Sequence, residues 1–119
     1  MTDNANNKAL PLTPAVFEIL LALADQDRHG YGIMREVERR TEGDLKMGPG
    51  TLYGSIKRLL EAGFIEDSGD RPDPALDDDR RKYYRLTIQG RQVAIAEANR
   101  LERQVHQARE KKLLPRAVP

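Results

Sequence analysis

Between Lys46 and Leu60 the chain carries Lys46, Lys57 and Arg58 but no Asp or Glu, although 33% of all residues are charged. A basic, acid-free stretch suits contact with a polyanion, because each cation that neutralises a phosphate releases condensed counterions. On a helix its outward positions are Thr51, Tyr53, Gly54, Ser55, Lys57 and Arg58. Hydroxyls and helix N-terminal amides make phosphate and base-edge hydrogen bonds, and Gly50 and Gly54 allow close backbone approach. An ordinary amphipathic helix with a basic exposed face fits the same residues equally well. A second cationic group, Arg80, Arg81, Lys82 and Arg85, crowds a β-prone run. These cations either line a phosphate rail or balance Asp70, Asp73, Asp77, Asp78 and Asp79 in the adjoining loop; phosphate contact by Arg80, Arg81 and Lys82 is the favoured expectation. Tyr31 and Tyr53, each in the first turn of a helix, are placed to offer a hydroxyl to a phosphate, with packing alone expected for at least one of them.

Other chemistries lack their parts. The 119 residues include no cysteine, so there is no thiol nucleophile, thiolate metal site or disulfide framework. His29 and His106 are far apart and belong to no ligand-spaced cluster, so no metal site is expected. His29 is expected to cap a helix, and His106 to lie on a solvated face. Gly48-Pro49-Gly50-Thr51 lacks the lysine of a phosphate-cradling loop. The expectation is a protein that is not an enzyme and takes no cofactor. With a net charge of +1 the whole chain names no partner, and without a long apolar run or a signal-like start the expected compartment is the cytoplasm.

The elements that must position these groups follow from periodicity. Residues 1–11 are polar and aperiodic and are expected to fray. Thr13-Pro14 starts a helix, with Thr13 as N-cap and Pro14 at the first helical position. Val16, Phe17, Ile19, Leu20, Leu21, Leu23 and Ala24 then make that helix apolar nearly all round, which implies cover on two sides. A second helix runs from about Tyr31 to Arg40, stopped near Gly43, and a third from Pro49 or Gly50 to just before Gly63. Phe64–Asp67 and Lys82–Leu86 read as a two-stranded hairpin with a long tip. Tyr83 and Tyr84 must point to opposite faces of their strand. Thr87 caps a last helix reaching about Leu114, in which Ala94, Ala98, Leu101, Val105 and Ala108 alternate spacings of four and three like a coiled-coil seam.

The predicted fold class is α+β, mostly α: a winged helix-turn-helix of three helices and a two-stranded wing, followed by a long C-terminal helix. The expected divisions are a DNA-binding domain over 12–86, a dimerisation helix over 87–114 and a tail over 115–119. Such a seam cannot stand alone in water. It is expected to pack on the first helix of a second copy, through Phe17, Leu20, Ala94, Ala98, Leu101, Val105 and Ala108. Two copies double the phosphate contacts on a duplex.

Five segments in order carry a family resemblance: Leu12-Thr13-Pro14, His29-Gly30-Tyr31-Gly32-Ile33, Gly50-Thr51-Leu52-Tyr53, Leu59-Leu60-Glu61-Ala62-Gly63-Phe64-Ile65, and Arg81-Lys82-Tyr83-Tyr84-Arg85-Leu86-Thr87 with Gly90. Over about Leu12 to Leu101 the chain resembles the PadR-like transcriptional regulators, in the compact form with a single C-terminal helix. The resemblance implies a homodimeric repressor of a pseudo-palindromic operator in double-stranded DNA. It assigns Thr51, Tyr53, Ser55, Lys57 and Arg58 to the recognition element, Tyr31 to the backbone, and Arg80, Arg81 and Lys82 to the wing. Some relatives hold a planar small-molecule effector between protomers. Here no aromatic residue follows Tyr84, which excludes aromatic stacking on the terminal helix, and the resemblance leaves Phe17 as a residue able to line a pore at the first helix. The rival reading is a winged helix that docks its basic face on an acidic protein.

Overall fold

The computed structural model describes residues 9–72 and 80–115, without the side chains of Pro72 and Arg80. Residues 1–8, the acidic loop positions Asp73 and Asp77 to Asp79, and residues 116–119 lie outside the described residues.

The first helix, α1 (Pro14–Ala22), starts where Thr13 and Pro14 require, with the Val16 N–H donating to Thr13 Oγ1 at 3.2 Å. A two-residue strand β1 (Arg28–His29) leads into α2 (Gly30–Arg40). Its N-cap is His29, whose Nδ1 accepts the Gly32 N–H at 2.9 Å. The chain leaves α2 through Gly43 at φ +82°, a left-handed conformation that glycine adopts without steric cost. The Thr41 hydroxyl secures the turn that follows, donating to Val37 O at 2.8 Å and accepting the Leu45 N–H at 3.2 Å. Helix α3 (Pro49–Ala62) ends at Gly63, φ +78°, and strands β2 (Ile65–Pro72) and β3 (Arg80–Leu86) form the hairpin. Thr87 then caps α4 (Ile88–Glu110), accepting the Gly90 N–H at 2.9 Å.

The sheet has three strands rather than the expected two, in the order β1-β3-β2, all antiparallel. Two residues are too short to display an alternating pattern, so β1 is set by its pairing with Tyr83 and Tyr84. One continuous core joins Ile19 and Leu20 of α1 and its C-cap Leu23 to Ile33 and Val37, Leu52, Ile56 and Leu59, Ile65, Tyr84 and Val93. Each large apolar side chain buried there contributes about 1.5–3 kcal/mol relative to exposure. Gly90 lets α4 press directly on the backbone at Phe64, between α3 and β2, since a Cβ there would meet Phe64 O at 1.8 Å.

Three expectations need correction. Ala9 and Leu10 pack against the core instead of fraying, because their apolar side chains reach the buried cluster. Helix α4 stops at Glu110 rather than Leu114, where the Leu113 N–H folds back to Ala108 O at 2.8 Å with Lys112 at φ +64°. Leu20 is fully enclosed within its own protomer and so offers no surface to a second copy.

Candidate nucleic-acid interface

Helix α3 divides its residues by periodicity. Leu52, Ile56 and Leu59 enter the core, while Thr51, Tyr53, Lys57 and Arg58 are exposed. Ser55 departs from expectation. It is 1% exposed, one turn from Leu52 and Leu59 on the inward face, with Arg58 Nη2 at a long 3.5 Å from its hydroxyl. Its place in the heptad, not its polarity, decides where it points. At the helix start Gly48, Pro49 and Gly50 are exposed, no side chain caps the amides, and a Cβ at Gly48 or Gly50 would meet nothing within 4 Å. Nothing inside the protomer therefore demands glycine at those two positions.

The two tyrosines bind this surface together. Tyr53 lies across the N-terminus of α2, close enough that a Cβ on Gly30 would come within 2.6 Å of its hydroxyl oxygen. Its ring thus fits only against a glycine, and the residue remains 49% exposed. Tyr31 stands on the first turn of α2 with the guanidinium carbons of Arg35 and Arg81 at 5.7 and 5.3 Å from its ring centre. Contacts of this kind hold a cation near a surface. A cleft of about 160 Å³ lined by His29, Gly30, Tyr53, Arg81, Lys82 and Tyr84 joins the starts of α2 and α3 to the hairpin. A larger open groove of about 680 Å³ continues past Tyr31 and Arg35.

Alternation along β3 separates the wing cations, with Arg81 and Lys82 on opposite faces. Arg81 is half-buried beside Tyr31; Lys82 is exposed, with its ammonium 3.6 Å from Asp67. Arg80 begins β3, and its side chain is outside the described atoms. Arg85 pairs with Glu66 at 2.7 Å directly across the ladder, and that carboxylate holds the guanidinium above its usual pKa.

The remaining cations of α2 are consumed internally. Glu36 takes Arg39 at 2.5 Å, Arg40 at 3.4 Å and Arg28 at 3.8 Å; the Arg39 hydrogen bond leads in holding its carboxyl below the usual value, against the opposing effect of burial. Arg40 also binds Glu18, which fastens α2 to α1. Arg35, which sequence periodicity places simply in water, is the cation of α2 that joins Tyr31 at the groove. Its heptad position relative to Tyr31, four residues apart, is the signal that identifies it.

Of the seam residues, Ala94 packs on the protomer core, Phe17, Leu101 and Ala108 are half-buried, and Ala98 and Val105 are exposed. The buried residues of α4 are Gly90, Val93 and Glu97, all in its first half. Among the described residues no group of His, Asp or Glu could hold a metal ion, and no helix is long and apolar enough to cross a membrane.

Comparison with known proteins agrees with this geometry. The family model described as the transcriptional regulator PadR-like family matches residues 19–96. A Lysinibacillus sphaericus protein called uncharacterized protein X is 36% identical over 74 residues, 61% of this chain; the chain spans 64% of that relative's length. The crystal structure of a PadR family transcription regulator from Clostridium difficile superposes with a TM-score of 0.68 at 22% identity, covering 86% of this chain and 100% of that one. Bacillus subtilis PadR in complex with operator DNA gives a TM-score of 0.58 at 18% identity, over 92% of this chain and 52% of that one. At these identities the structural likenesses speak for the fold.

Proposed function

The chain belongs to the PadR-like family of transcriptional regulators, and from that premise we propose that it binds operator DNA as a homodimer and represses transcription. The observation that carries this reading is the set of exposed α3 residues Thr51, Tyr53, Lys57 and Arg58, in a stretch without acid from Lys46 to Leu60, with Tyr53 sharing a cleft with Arg81 and Lys82 of the wing. Helix α3 enters the major groove, its uncapped N-terminal amides and the bare backbone at Gly48 and Gly50 approaching phosphate and base edges. The wing, with Arg80, Arg81 and Lys82, tracks the backbone and adds affinity that is insensitive to sequence. The DNA complex of the Bacillus subtilis relative supports this assignment by fold.

A homodimer supplies the second half-site. The second half of α4 carries no residue buried in the protomer, and Val105 remains 38% exposed, as does Leu21 on α1 at 37%. A helix standing free over that length is marginal in water, so a second copy covering Phe17, Leu21, Ala98, Leu101, Val105 and Ala108 stabilises it. An effector pore between protomers would open beside Phe17. Measuring DNA affinity against salt tests the reading. Neutralising Arg80, Arg81 and Lys82 together lowers the log–log slope by about two to three units, at ~0.9 per phosphate; an unchanged slope removes the wing from the interface.

A further inference from the structure

Antiparallel pairing sets Arg71 of β2 directly opposite Arg81 of β3. Two cations facing each other across a ladder repel. Here they part: Arg81 turns to Tyr31, and Arg71 crosses the sheet the other way. Its guanidinium carbon lies 4.5 Å from the ring centre of Tyr83, and Nη2 donates to Asp27 Oδ2 at 2.8 Å, with Ser68 Oγ at 3.3 Å and Ser68 O at 3.4 Å. Tyr83 pairs with Gly69, which sits at φ +105° just past the bulge between Asp67 and Gly69. Asp27 lies in the turn before β1, so this single side chain spans β2, β3 and the edge of β1. Desolvation pushes the Asp27 carboxyl up, but hydrogen bonds from Arg71 and Ser68 bring it below its usual value, as a persistent partner would. Tyr83 in turn meets His29 edge-on, ring centres 5.2 Å apart, and His29 caps the helix that carries Tyr31.

We propose that Asp27 and Arg71 form a strap that sets the angle of the β2–β3 hairpin against the helical body, and so brings the wing cations to the phosphate backbone. This rests on the wing being a DNA contact. Asp27 is a positioning residue: it touches no nucleic acid and acts through Arg71. The pair is partly exposed, 28% for Asp27 and 44% for Arg71. A tie of that strength does not hold the fold together, yet it suffices to bias the swing of a hairpin joined to the body along one edge.

The sign of one substitution separates this from plain electrostatics. Removing an acid beside a DNA-binding surface tightens binding if only charge matters; breaking the strap weakens it. The full chain and its Asp27→Asn, Arg71→Gln and combined variants are titrated with duplex by fluorescence anisotropy. Amide exchange along β2 and β3 is followed without DNA. We expect Asp27→Asn to weaken binding by about two- to fivefold, the range of an exposed pair. Hairpin exchange should rise by a similar factor, the combined variant should add nothing, and the exchanged pair Asp27→Arg with Arg71→Asp should restore protection. Tighter or unchanged binding by Asp27→Asn, or unaltered exchange, overturns the proposal. Should the parent chain ignore duplexes altogether, the functional reading fails and takes the DNA role of the strap with it, while the exchange rates alone decide whether the strap exists.

Discussion

Arg71 and Arg81 are direct partners across the β2–β3 ladder, yet their guanidinium groups rest on different rings, Tyr83 and Tyr31. One cation is thereby committed to Asp27 beside β1, and the other to the groove beside α2. Charge alone does not distinguish these two arginines; their partners do.

The exposed and buried polar residues of α3 separate DNA contact from packing. Lys57→Ala and Arg58→Ala should each weaken operator binding, by about 1–3 kcal/mol where a base edge is contacted and less where only a phosphate is. Circular dichroism should show both variants folded. Ser55→Ala should leave affinity within about twofold and act, if at all, on stability, because Ser55 is buried. Unchanged affinity in both cation variants would remove α3 as the reading helix.

Gly90→Ala and Gly30→Ala differ in what must move. The first drives a methyl into the Phe64 carbonyl at 1.8 Å, a backbone group, and should cost about 3 kcal/mol or more. The second meets the Tyr53 hydroxyl end at 2.6 Å, a side chain able to swing away, so stability should fall less while DNA binding suffers. Urea midpoints and binding titrations on both variants check the contrast.

Two leucines test the proposed docking of a second copy. Leu101→Asp should give folded monomers in sedimentation, since Leu101 is half-buried beyond the protomer core. Leu20→Asp should unfold the chain outright, because that side chain is wholly inside. An intact Leu101→Asp dimer would place the seam elsewhere.

With the carboxyls of Glu36 and Asp27 also held below their usual values, part of the acid sensitivity should trace to Glu97. Arg100 grips this 2% exposed carboxylate at 2.6 and 2.9 Å and holds it below its ordinary 4.5, with burial opposing and the Leu12 N–H assisting. A depressed folded pKa means the unfolded chain binds the proton first. The contribution is therefore complete above 4.5 and is lost as pH falls through the lower folded value. Urea unfolding from about pH 7 down to about pH 3 should show that loss, and Glu97→Gln should make it shallower.

His29→Ala should cost about 1 kcal/mol through loss of the α2 cap, and His29→Asn should recover much of it, because asparagine accepts the same kind of N–H. Thermal unfolding of the three proteins decides this.

The residues themselves determined the helices and their order, since Thr13-Pro14, Gly63 and Thr87 carry local signals that act within one or two turns. The acid-free run around α3 was legible for the same reason: composition and the helical period need no partner. Tertiary structure alone decided the rest. Strand β1 exists only because β3 lies beside it, and the partnership of Arg71 with Asp27 depends on a bulge that shifts register by one residue. The inward side of an all-round apolar α1 likewise had no local mark, so Leu20 and Leu21 looked alike until packing buried one and left the other 37% exposed. Local sequence governs dihedral angles and periodicity, whereas register and facing are settled by contacts made dozens of residues away.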